Sequence, residues 1–287
     1  MTGSLGRIVL SAIGISPKRA LPVPAKPTMS QLDPELHWDP DSLASVDVVL
    51  LNDEFAQVYN SELLLLTAKV LKALGYKTMI SPPIDTGRPM ISKGFLKTVK
   101  TKITDQIALI DLLNSHDVAL VGIEPSAVLG IKDEWIRLAP QHAIGSINKL
   151  SQKTYTIEEY LWDGYQKGKW TADEFSFQKQ RIHVHAHCHF KALAEEEDIY
   201  FLLDILPGSE VIRIPSGCCG MAGSFGYEKE HYEISRAIGE EILFPHLRQI
   251  EENDLVATNG FSCQHQIHDF LGIRSLHPIE IMHRRLH

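Results

Sequence analysis

The sequence has few cysteines and no excess of positive charge, and both features limit the classes of function that it can have. It contains 4 cysteines among 287 residues, and 28 lysine and arginine residues against 36 aspartate and glutamate residues give a net charge of −8. Nucleic-acid-binding surfaces are basic, so this composition argues against that class of function. No apolar run is long enough to cross a bilayer. The apolar stretch 61–76 is interrupted by Lys69 and Lys72 and is typical of an amphipathic helix.

The N-terminus lacks the charged region and the cleavage pattern of a secretory signal peptide. We therefore expect a cytoplasmic protein, in which thiols stay reduced. In that compartment four cysteines indicate a metal site or redox chemistry more often than disulfide bonds. With 44% hydrophobic residues, the chain can bury the core of one large domain or of two ordinary ones.

A proline-rich segment precedes the regular part of the chain. Residues 17–44 have little periodicity, which predicts an extended segment or linker. Because this linker lies so near the start, we expect something to precede it, either a second domain of a longer chain or a partner subunit. The stretch 151–181 is polar and aromatic and predicts a helical connection with a loop.

Apolar runs typical of buried parallel strands alternate with helical patterns from residue 46, and this alternation restarts near residue 181. The predicted fold is α/β, with two pseudo-symmetric Rossmann-like lobes whose parallel sheets are flanked by helices. The expected divisions are an N-terminal segment and linker at 1–44, a degenerate lobe without cysteines at 45–150, a connection at 151–180 and a cysteine-bearing lobe at 181–287. Longer helices are predicted at 60–75, 94–115, 190–204 and 228–250.

The two halves of the chain repeat one plan. The repeat aligns "VLLNDEFAQ" with "HVHAHCHFK", "ISPPIDTGRP" with "IRIPSGCCGM" and "VGIEPSAVLGI" with "ATNGFSCQHQI". In this comparison the first half has other residue types where the second half has its cysteines, namely Asp53, Asp85, Thr86 and Ala127.

Each of these positions follows a predicted strand. The carboxyl ends of parallel strands form the ligand-binding crevice of an open α/β sheet, so all the cysteines are expected to meet there. Converging thiolates without a disulfide role predict a metal or cluster site, whose ligands would be Cys188, Cys218, Cys219 and Cys263.

The adjacent cysteines lie in "IPSGCCGMAGSFG", residues 214–226, a stretch rich in glycine. Without side chains, Gly217 and Gly220 allow the backbone to approach a bulky cluster and direct amides at sulfur. A vicinal pair can offer ligands to two atoms of a cluster more easily than to one small tetrahedral ion. This favours iron–sulfur over zinc, with zinc as the alternative.

Histidines accompany the cysteines. His187 and His189 flank Cys188, and His265 follows Cys263 by two residues, so we expect these three to support the ligands by hydrogen bonding or to act as alternative ligands. His183 and His185, inside the predicted strand, are expected to be structural.

Two cations of the first half lie at the turn equivalent to the cysteine pair. Arg88 is suited to clamp a carboxylate of a substrate or partner, and Lys93 lies nearby. The alternative for Arg88 is a structural ion pair with an acid such as Asp85, and Glu124 is a second candidate partner.

The segment "SGCCGMAGSFG", with "HCH" upstream and "FSC" downstream, resembles the cysteine-rich CCG domain. That domain occurs in duplicate in the B subunit of heterodisulfide reductase, in the C subunit of anaerobic glycerol-3-phosphate dehydrogenase and in lactate-utilisation proteins. It also forms the C-terminal part of FAD-linked oxidase/iron–sulfur oxidoreductase fusions of the D-2-hydroxyglutarate and D-lactate dehydrogenase type. The stretches "ISPKRALPVP", "TGRPMISKG", "HAHCHFKAL" and "HPIEIM" are similar to these fusions, and the resemblance covers residues 15–285.

The resemblance implies an oxidoreductase component that needs a flavin partner for activity. This would be an iron–sulfur electron-transfer module of a flavin-dependent 2-hydroxyacid dehydrogenase, relaying electrons from the flavin domain to a quinone or another electron carrier. It implies a 4Fe-4S cluster on this chain, and FAD only on an upstream domain or partner. The implied location is the cytoplasm, or the inner-membrane surface through a partner.

The sequence departs from the family at two places. The family's closing Cys-x-x-Cys is here Cys263-Gln264-His265-Gln266, which makes a four-ligand site the expectation in place of a five-thiolate cluster. The first repeat has no cysteine and is expected to carry no cluster. This loss leaves open an alternative function, a zinc-binding or metal-free interaction or scaffold module without redox activity. A dithiol enzyme that uses Cys218 and Cys219 is a further alternative, although adjacent cysteines form a strained disulfide.

Overall fold

The computed structural model describes residues 6, 10–25 and 33–287 and contains two parallel sheets. The first sheet has the strand order β2-β1-β3-β4, and the second has the order β6-β5-β7. Every strand pair in both sheets is parallel, which confirms the predicted α/β fold. The strands are β1 Val48–Asn52, β2 Thr78–Pro83, β3 Ala119–Gly122, β4 Thr154–Thr156, β5 Gln180–Val184, β6 Ser209–Arg213 and β7 Leu255–Ala257.

Helices connect the strands and cover both sheets. We call residues 48–166 the first lobe and residues 180–285 the second lobe. The helices of the first lobe are Glu54–Val58, Ser61–Ala73, Arg88–Ser92, Leu96–Asp105, Ile107–His116, Pro125–Lys132, Glu134–Leu138, Ile144–Ser151 and Ile157–Gln166. Those of the second lobe are Cys188–Leu193, Glu197–Asp204, Tyr232–Glu241, Leu243–Leu247, Phe261–Leu271 and Pro278–Arg285. Among the described residues, none of the helices combines the length and the apolar character needed to cross a membrane.

Three long helices predicted from the sequence are each divided in two. The helix predicted at 228–250 breaks at Ile242, because Pro245 has no backbone N–H to donate to Glu241 and its ring would clash there. The break at Gln106 has another cause. Its side chain accepts a hydrogen bond from the backbone N–H of Asp85 at 3.0 Å and donates to the Asp85 carbonyl at 3.1 Å.

The strand order repeats between the lobes. Strand β4 lies within the segment expected to be a connection and pairs with β3. In the second lobe a parallel bridge between Ala257 and Leu276 occupies the corresponding place beside β7. A capping box follows at each place, from Thr156 in the first lobe and from His277 in the second.

The last helix of each lobe packs on the opposite lobe. Helix Ile157–Gln166 lies against helix Glu197–Asp204, and helix Pro278–Arg285 lies against helix Ser61–Ala73. One hydrophobic cluster accordingly contains residues of both lobes, among them Leu71 and Met282. A smaller cluster surrounds the cysteines of the second lobe and includes Met221, Phe244 and Ile267.

Candidate metal centre

Four cysteine side chains meet at the carboxyl ends of the second sheet. Cys188 is the first residue of the helix after β5, the pair Cys218 and Cys219 lies in the loop after β6, and Cys263 lies in the first turn of the helix after β7. Each thiol shifts the pKa of its neighbour along a series from Cys188 through Cys218 and Cys219 to Cys263, and the sulfur atoms of Cys219 and Cys263 lie within 4.8 Å of each other. All four are free cysteines. The structure therefore brings together the four thiols that the sequence predicted to converge.

The thiols differ in depth. Cys219 and Cys263 are 3% and 1% exposed, whereas Cys188 and Cys218 are half-buried. A ring nitrogen of His185, which is fully buried, lies within 4.8 Å of the sulfur atoms of both Cys219 and Cys263. The site is thus closed at its base and accessible at its upper end.

Hydrogen bonding along the series separates the pKa values of the thiols. The pKa of Cys218 is lowered mainly by the hydrogen bond from Cys188, and that of Cys263 mainly by the hydrogen bond from Cys219. The interaction with Cys218 is in turn the main cause that raises the pKa values of both Cys188 and Cys219. Four adjacent thiolates would repel one another strongly, so a fully deprotonated set requires the positive charge of a metal centre.

Of the two glycines predicted to let the backbone approach a cluster, Gly217 and Gly220, the conformation of the cysteine loop requires only Gly220. Gly220 has a φ of +97°, and its N–H donates to the Cys218 sulfur at 3.3 Å. A Cβ at this position would lie 2.2 Å from the carbonyl oxygen of Ser235. Gly217 has no such constraint, because a Cβ there would meet no atom within 4 Å.

A buried arginine that sequence analysis missed ties the cysteine loop to the Cys263 helix. The guanidinium of Arg19 donates to the Gly226 carbonyl at 2.7 Å, to Ser235 Oγ at 2.9 Å and to Gln266 Oε1 at 2.6 Å. The amide of Gln266 in turn donates to the Cys219 carbonyl at 2.9 Å. In the sequence, Arg19 is the single arginine of the proline-rich segment 17–44, and the residues around it form no pattern that predicts its burial.

The flanking histidines have separate environments. His187 Nδ1 accepts the N–H of His189 at 3.2 Å and so caps the helix that begins at Cys188, and the two rings stack with centroids 5.6 Å apart. Gly260 makes room for the His187 ring, since a Cβ there would lie 2.3 Å from it. His265 instead packs on Phe261, with ring centroids 4.6 Å apart, and burial lowers its pKa.

The two first-lobe cations reach the second lobe. Arg88 donates to Glu134 and lies 3.3 Å from His189 Nε2, and Lys93 pairs with Glu228. Glu134 is therefore the acid that partners Arg88, a residue that sequence analysis did not consider.

Neither acid suggested for Arg88 is its partner. Asp85 pairs with Lys102. The Glu124 carboxylate accepts the Ser126 hydroxyl at 2.6 Å and the backbone N–H of Phe261 at 2.9 Å. Glu124 therefore caps the helix that carries Cys263, from the opposite lobe.

The corresponding place in the first lobe is closed by its own side chains. Asp53 caps the helix that begins at Glu54, as His187 caps the helix that begins at Cys188. Glu54 is thus the structural counterpart of Cys188, and the equivalence of Asp53 with Cys188 was wrong by one residue. The Glu54 carboxylate is hydrogen-bonded to the loop after β2, and burial raises its pKa.

One hydrogen bond of the loop after β2 is repeated at the equivalent position of the cysteine loop. Asp85 Oδ1 accepts the N–H of Gly87 at 3.0 Å, as the Cys218 sulfur accepts the N–H of Gly220. Both glycines have positive φ. Asp85 and Thr86 therefore stand where the second lobe has its cysteine pair, and their side-chain oxygen atoms take the places of sulfur in this loop.

Comparison with known proteins identifies dehydrogenases. The C subunit of the anaerobic glycerol-3-phosphate dehydrogenase of Escherichia coli (strain K12) is 28% identical over 222 residues, covering 76% of this chain and 54% of that protein. The D-2-hydroxyglutarate dehydrogenase of Pantoea ananatis (strain AJ13355) is 24% identical over 272 residues, covering 91% of this chain and 26% of that protein. The Haemophilus influenzae protein of the same name is 23% identical over 281 residues, with the same coverage.

This chain spans about half the length of the first of these relatives and about a quarter of the other two. No family model matches the chain. The similarity to one component of a dehydrogenase and to whole dehydrogenases fits the oxidoreductase family suggested by the sequence, and is consistent with an electron-transfer module of a dehydrogenase.

Proposed function

We propose that the second lobe binds an iron–sulfur cluster through its four cysteines and that the chain is an electron-transfer module of a flavin-dependent 2-hydroxyacid dehydrogenase. The observation that carries this proposal is the convergence of four free thiols at three separate strand ends, near enough to shift one another's pKa values. The dehydrogenase relatives supply the reaction class.

The residues present suit such a group. The donors are soft sulfur atoms, which iron–sulfur clusters require. Buried Cys219 and Cys263 keep water from the base of the site, and half-buried Cys188 and Cys218 face its accessible end. A 4Fe-4S cluster bound here would take up and release single electrons. The Gly220 N–H would stabilise charge on the Cys218 sulfur.

The first lobe acts as a support in this proposal. Arg88 and Lys93 connect it to His189 and Glu228 beside the cysteine site, and these ion pairs favour the structural role of Arg88 over a clamp for substrate. The same two cations lie near the accessible end and are our candidates for contacts with the partner that delivers or receives electrons.

We place FAD on an upstream domain or partner subunit and expect a quinone or another carrier as acceptor. The chain covers 26% of the D-2-hydroxyglutarate dehydrogenase of Pantoea ananatis, so that protein has ample sequence for a flavin domain outside the shared part. We propose a cytoplasmic location, or attachment to the inner membrane through the partner.

Anaerobic reconstitution of the full chain with ferrous iron and sulfide tests the proposal. The wild type should bind iron and acid-labile sulfide, absorb in the visible and give an EPR signal on reduction. Cys219→Ser should lose most of the iron. Thr86→Ser, at the equivalent position of the first lobe, is the matched control and should retain it.

A folded wild type that binds no iron or sulfide would overturn the assignment. Stoichiometric zinc without sulfide would instead support the zinc-binding interaction module. That alternative gains some support from the first lobe, whose equivalent loop folds around oxygen atoms with no thiol.

A further inference from the structure

His185 is a buried polar residue that the four-cysteine site leaves without a role. It follows the last residue of β5 and is fully buried. No hydrogen bond of ordinary geometry reaches its Nε2 atom among the described residues, although the ring lies close enough to Cys263 to help lower the pKa of that thiol. A buried nitrogen without a partner is destabilising unless a ligand satisfies it.

The ring is held in one orientation. The backbone N–H of His185 donates to the Ala257 carbonyl at 2.9 Å, which fixes the residue against β7. On the side chain, Nδ1 lies 2.7 Å from the Ser216 hydroxyl oxygen. Histidines that bind metals commonly donate their other ring N–H to an oxygen in this way, which fixes the tautomer and the direction of the free lone pair.

The neighbouring strand histidine shows the contrast. His183 has both ring nitrogens engaged, Nδ1 with His246 and Nε2 with Asp254, each at 2.9 Å. His185 therefore differs from His183 in having one ring nitrogen outside the hydrogen-bond network. Its ring lies close to the sulfur atoms of Cys219 and Cys263.

The position of the family's missing thiol cannot provide this donor. Both polar atoms of the Gln266 side chain are occupied, since Oε1 accepts from Arg19 and Nε2 donates to the carbonyls of Cys219 and Ser235. Gln266 therefore does not add a ligand at the base of the site.

We propose that His185 Nε2 is a fifth ligand of the centre, bound alongside the four cysteine sulfurs. This inference rests on the proposed metal-binding function and changes its ligand set from all sulfur to sulfur and nitrogen. In this arrangement Nδ1–H donates to the Ser216 oxygen, and Nε2 presents its lone pair at the buried end of the site. Because the imidazole is neutral, such a centre carries less negative charge than one with five thiolates, and this difference favours a higher reduction potential.

The test uses the full chain with ¹⁵N-labelled histidine, reconstituted anaerobically and studied by pulsed EPR after reduction. The wild type should show a strong coupling from a directly bound histidine nitrogen. His185→Ala should lose that coupling, and His183→Gln, the control, should keep it. His185→Gln can still donate a hydrogen bond to sulfur but lacks the imidazole lone pair, so it should also lose the strong coupling.

A wild-type centre that contains iron and sulfide but shows only the weak coupling of a hydrogen-bonded nitrogen would overturn the inference and leave the proposed function intact. Titration of the reduced apoprotein with Co²⁺ provides a second measurement that does not depend on cluster assembly. His185→Ala should alter the visible Co²⁺ bands and weaken Co²⁺ binding about tenfold or more. Unchanged bands and affinity would refute the role of His185 even if no iron–sulfur cluster forms.

Discussion

The carboxylate of Glu54 accepts two hydrogen bonds from Thr86, one from its backbone N–H at 2.9 Å and one from its hydroxyl at 2.8 Å. The same carboxylate accepts the N–H of Arg88 at 3.1 Å. These contacts fill the first-lobe counterpart of the cysteine site. They also fix the loop from which Arg88 extends to the second lobe.

Replacing Glu54 by alanine should therefore destabilise the protein without changing its capacity to bind iron. We expect a loss of about 2–3 kcal/mol in the free energy of unfolding, because three donors of one loop lose their acceptor. Urea denaturation measures this change, and Glu54→Gln, which keeps one acceptor oxygen, should lose less. Iron binding after reconstitution should be unchanged, and a parallel loss of iron would show that the first lobe takes part in the metal site.

Gly220→Ala should abolish iron binding, because the residue has a positive φ and a Cβ there would collide with the Ser235 carbonyl. The measurement is the iron content after anaerobic reconstitution, together with a urea denaturation curve. Gly217→Ala lies in the same loop in open space and should bind iron normally. Normal iron binding by the Gly220 variant would mean that the loop does not need this backbone conformation.

Arg19→Ala should cost about 3–5 kcal/mol of stability, because it leaves the buried Asp269 carboxylate and several acceptors of the cysteine loop without their donor. Chemical denaturation of the apoprotein measures the cost. The neighbouring Lys18→Ala is the control, since Lys18 pairs with Glu233 at the exposed surface and its removal should leave stability unchanged. A cost no larger than that of the control would contradict the role of Arg19.

The interface between the lobes should make stability depend on pH through Glu158. Burial raises the pKa of Glu158 from its usual 4.5 to about 8. Burial lowers the pKa of His277, whose Nε2 lies 3.6 Å from Glu158 Oε1, from 6.5 to about 4. His277 opposes Glu158 below pH 6.5, and the lowered pKa values of Cys218 and Cys263 oppose it in the apoprotein above that pH. The contribution of Glu158 is therefore the difference between the wild type and a Glu158 variant from pH 6.5 to 8.

In that range the folded protein keeps a proton on Glu158 that the unfolded chain releases, so the contribution of Glu158 to stability should fall as pH rises, by at most about 1.4 kcal/mol per pH unit. Urea denaturation of the apoprotein across the range measures the slope of stability against pH. Glu158→Gln should make that slope more positive by this amount, whereas Glu62→Gln, at an exposed position, should leave it as in the wild type. An equal slope in all three proteins would show that Glu158 is ionised in the folded state.

The fold and the meeting of the thiols follow from local patterns. Strand runs such as 48–52 are continuously apolar, and each cysteine lies a few residues beyond a strand, so parallel topology alone brings the thiols together. The pattern misses contacts that depend on three-dimensional packing. Arg19 and Gln266 are distant in sequence and their types give no sign of burial, yet together they tie the cysteine loop to a helix.

The surroundings of His185 could not be predicted for a similar reason. By its place in the alternating strand pattern, His185 is equivalent to His183. The packing of the second sheet gives the His183 ring two hydrogen-bond partners and the His185 ring one. The helix break at Gln106 could not be predicted either, because the Gln106 side chain bonds to the distant backbone of Asp85. The break at Ile242 did have a signal in the sequence, Pro245.

The crossed packing of the final helices has a consequence for dissecting the protein. If the chain is divided after residue 166, helix Pro278–Arg285 stays with one fragment and its packing surface on helix Ser61–Ala73 with the other. Each fragment would then expose an apolar face that the other normally covers. Both pieces should be insoluble when made separately and recover structure only when produced together, which makes the duplicated halves one cooperative folding unit.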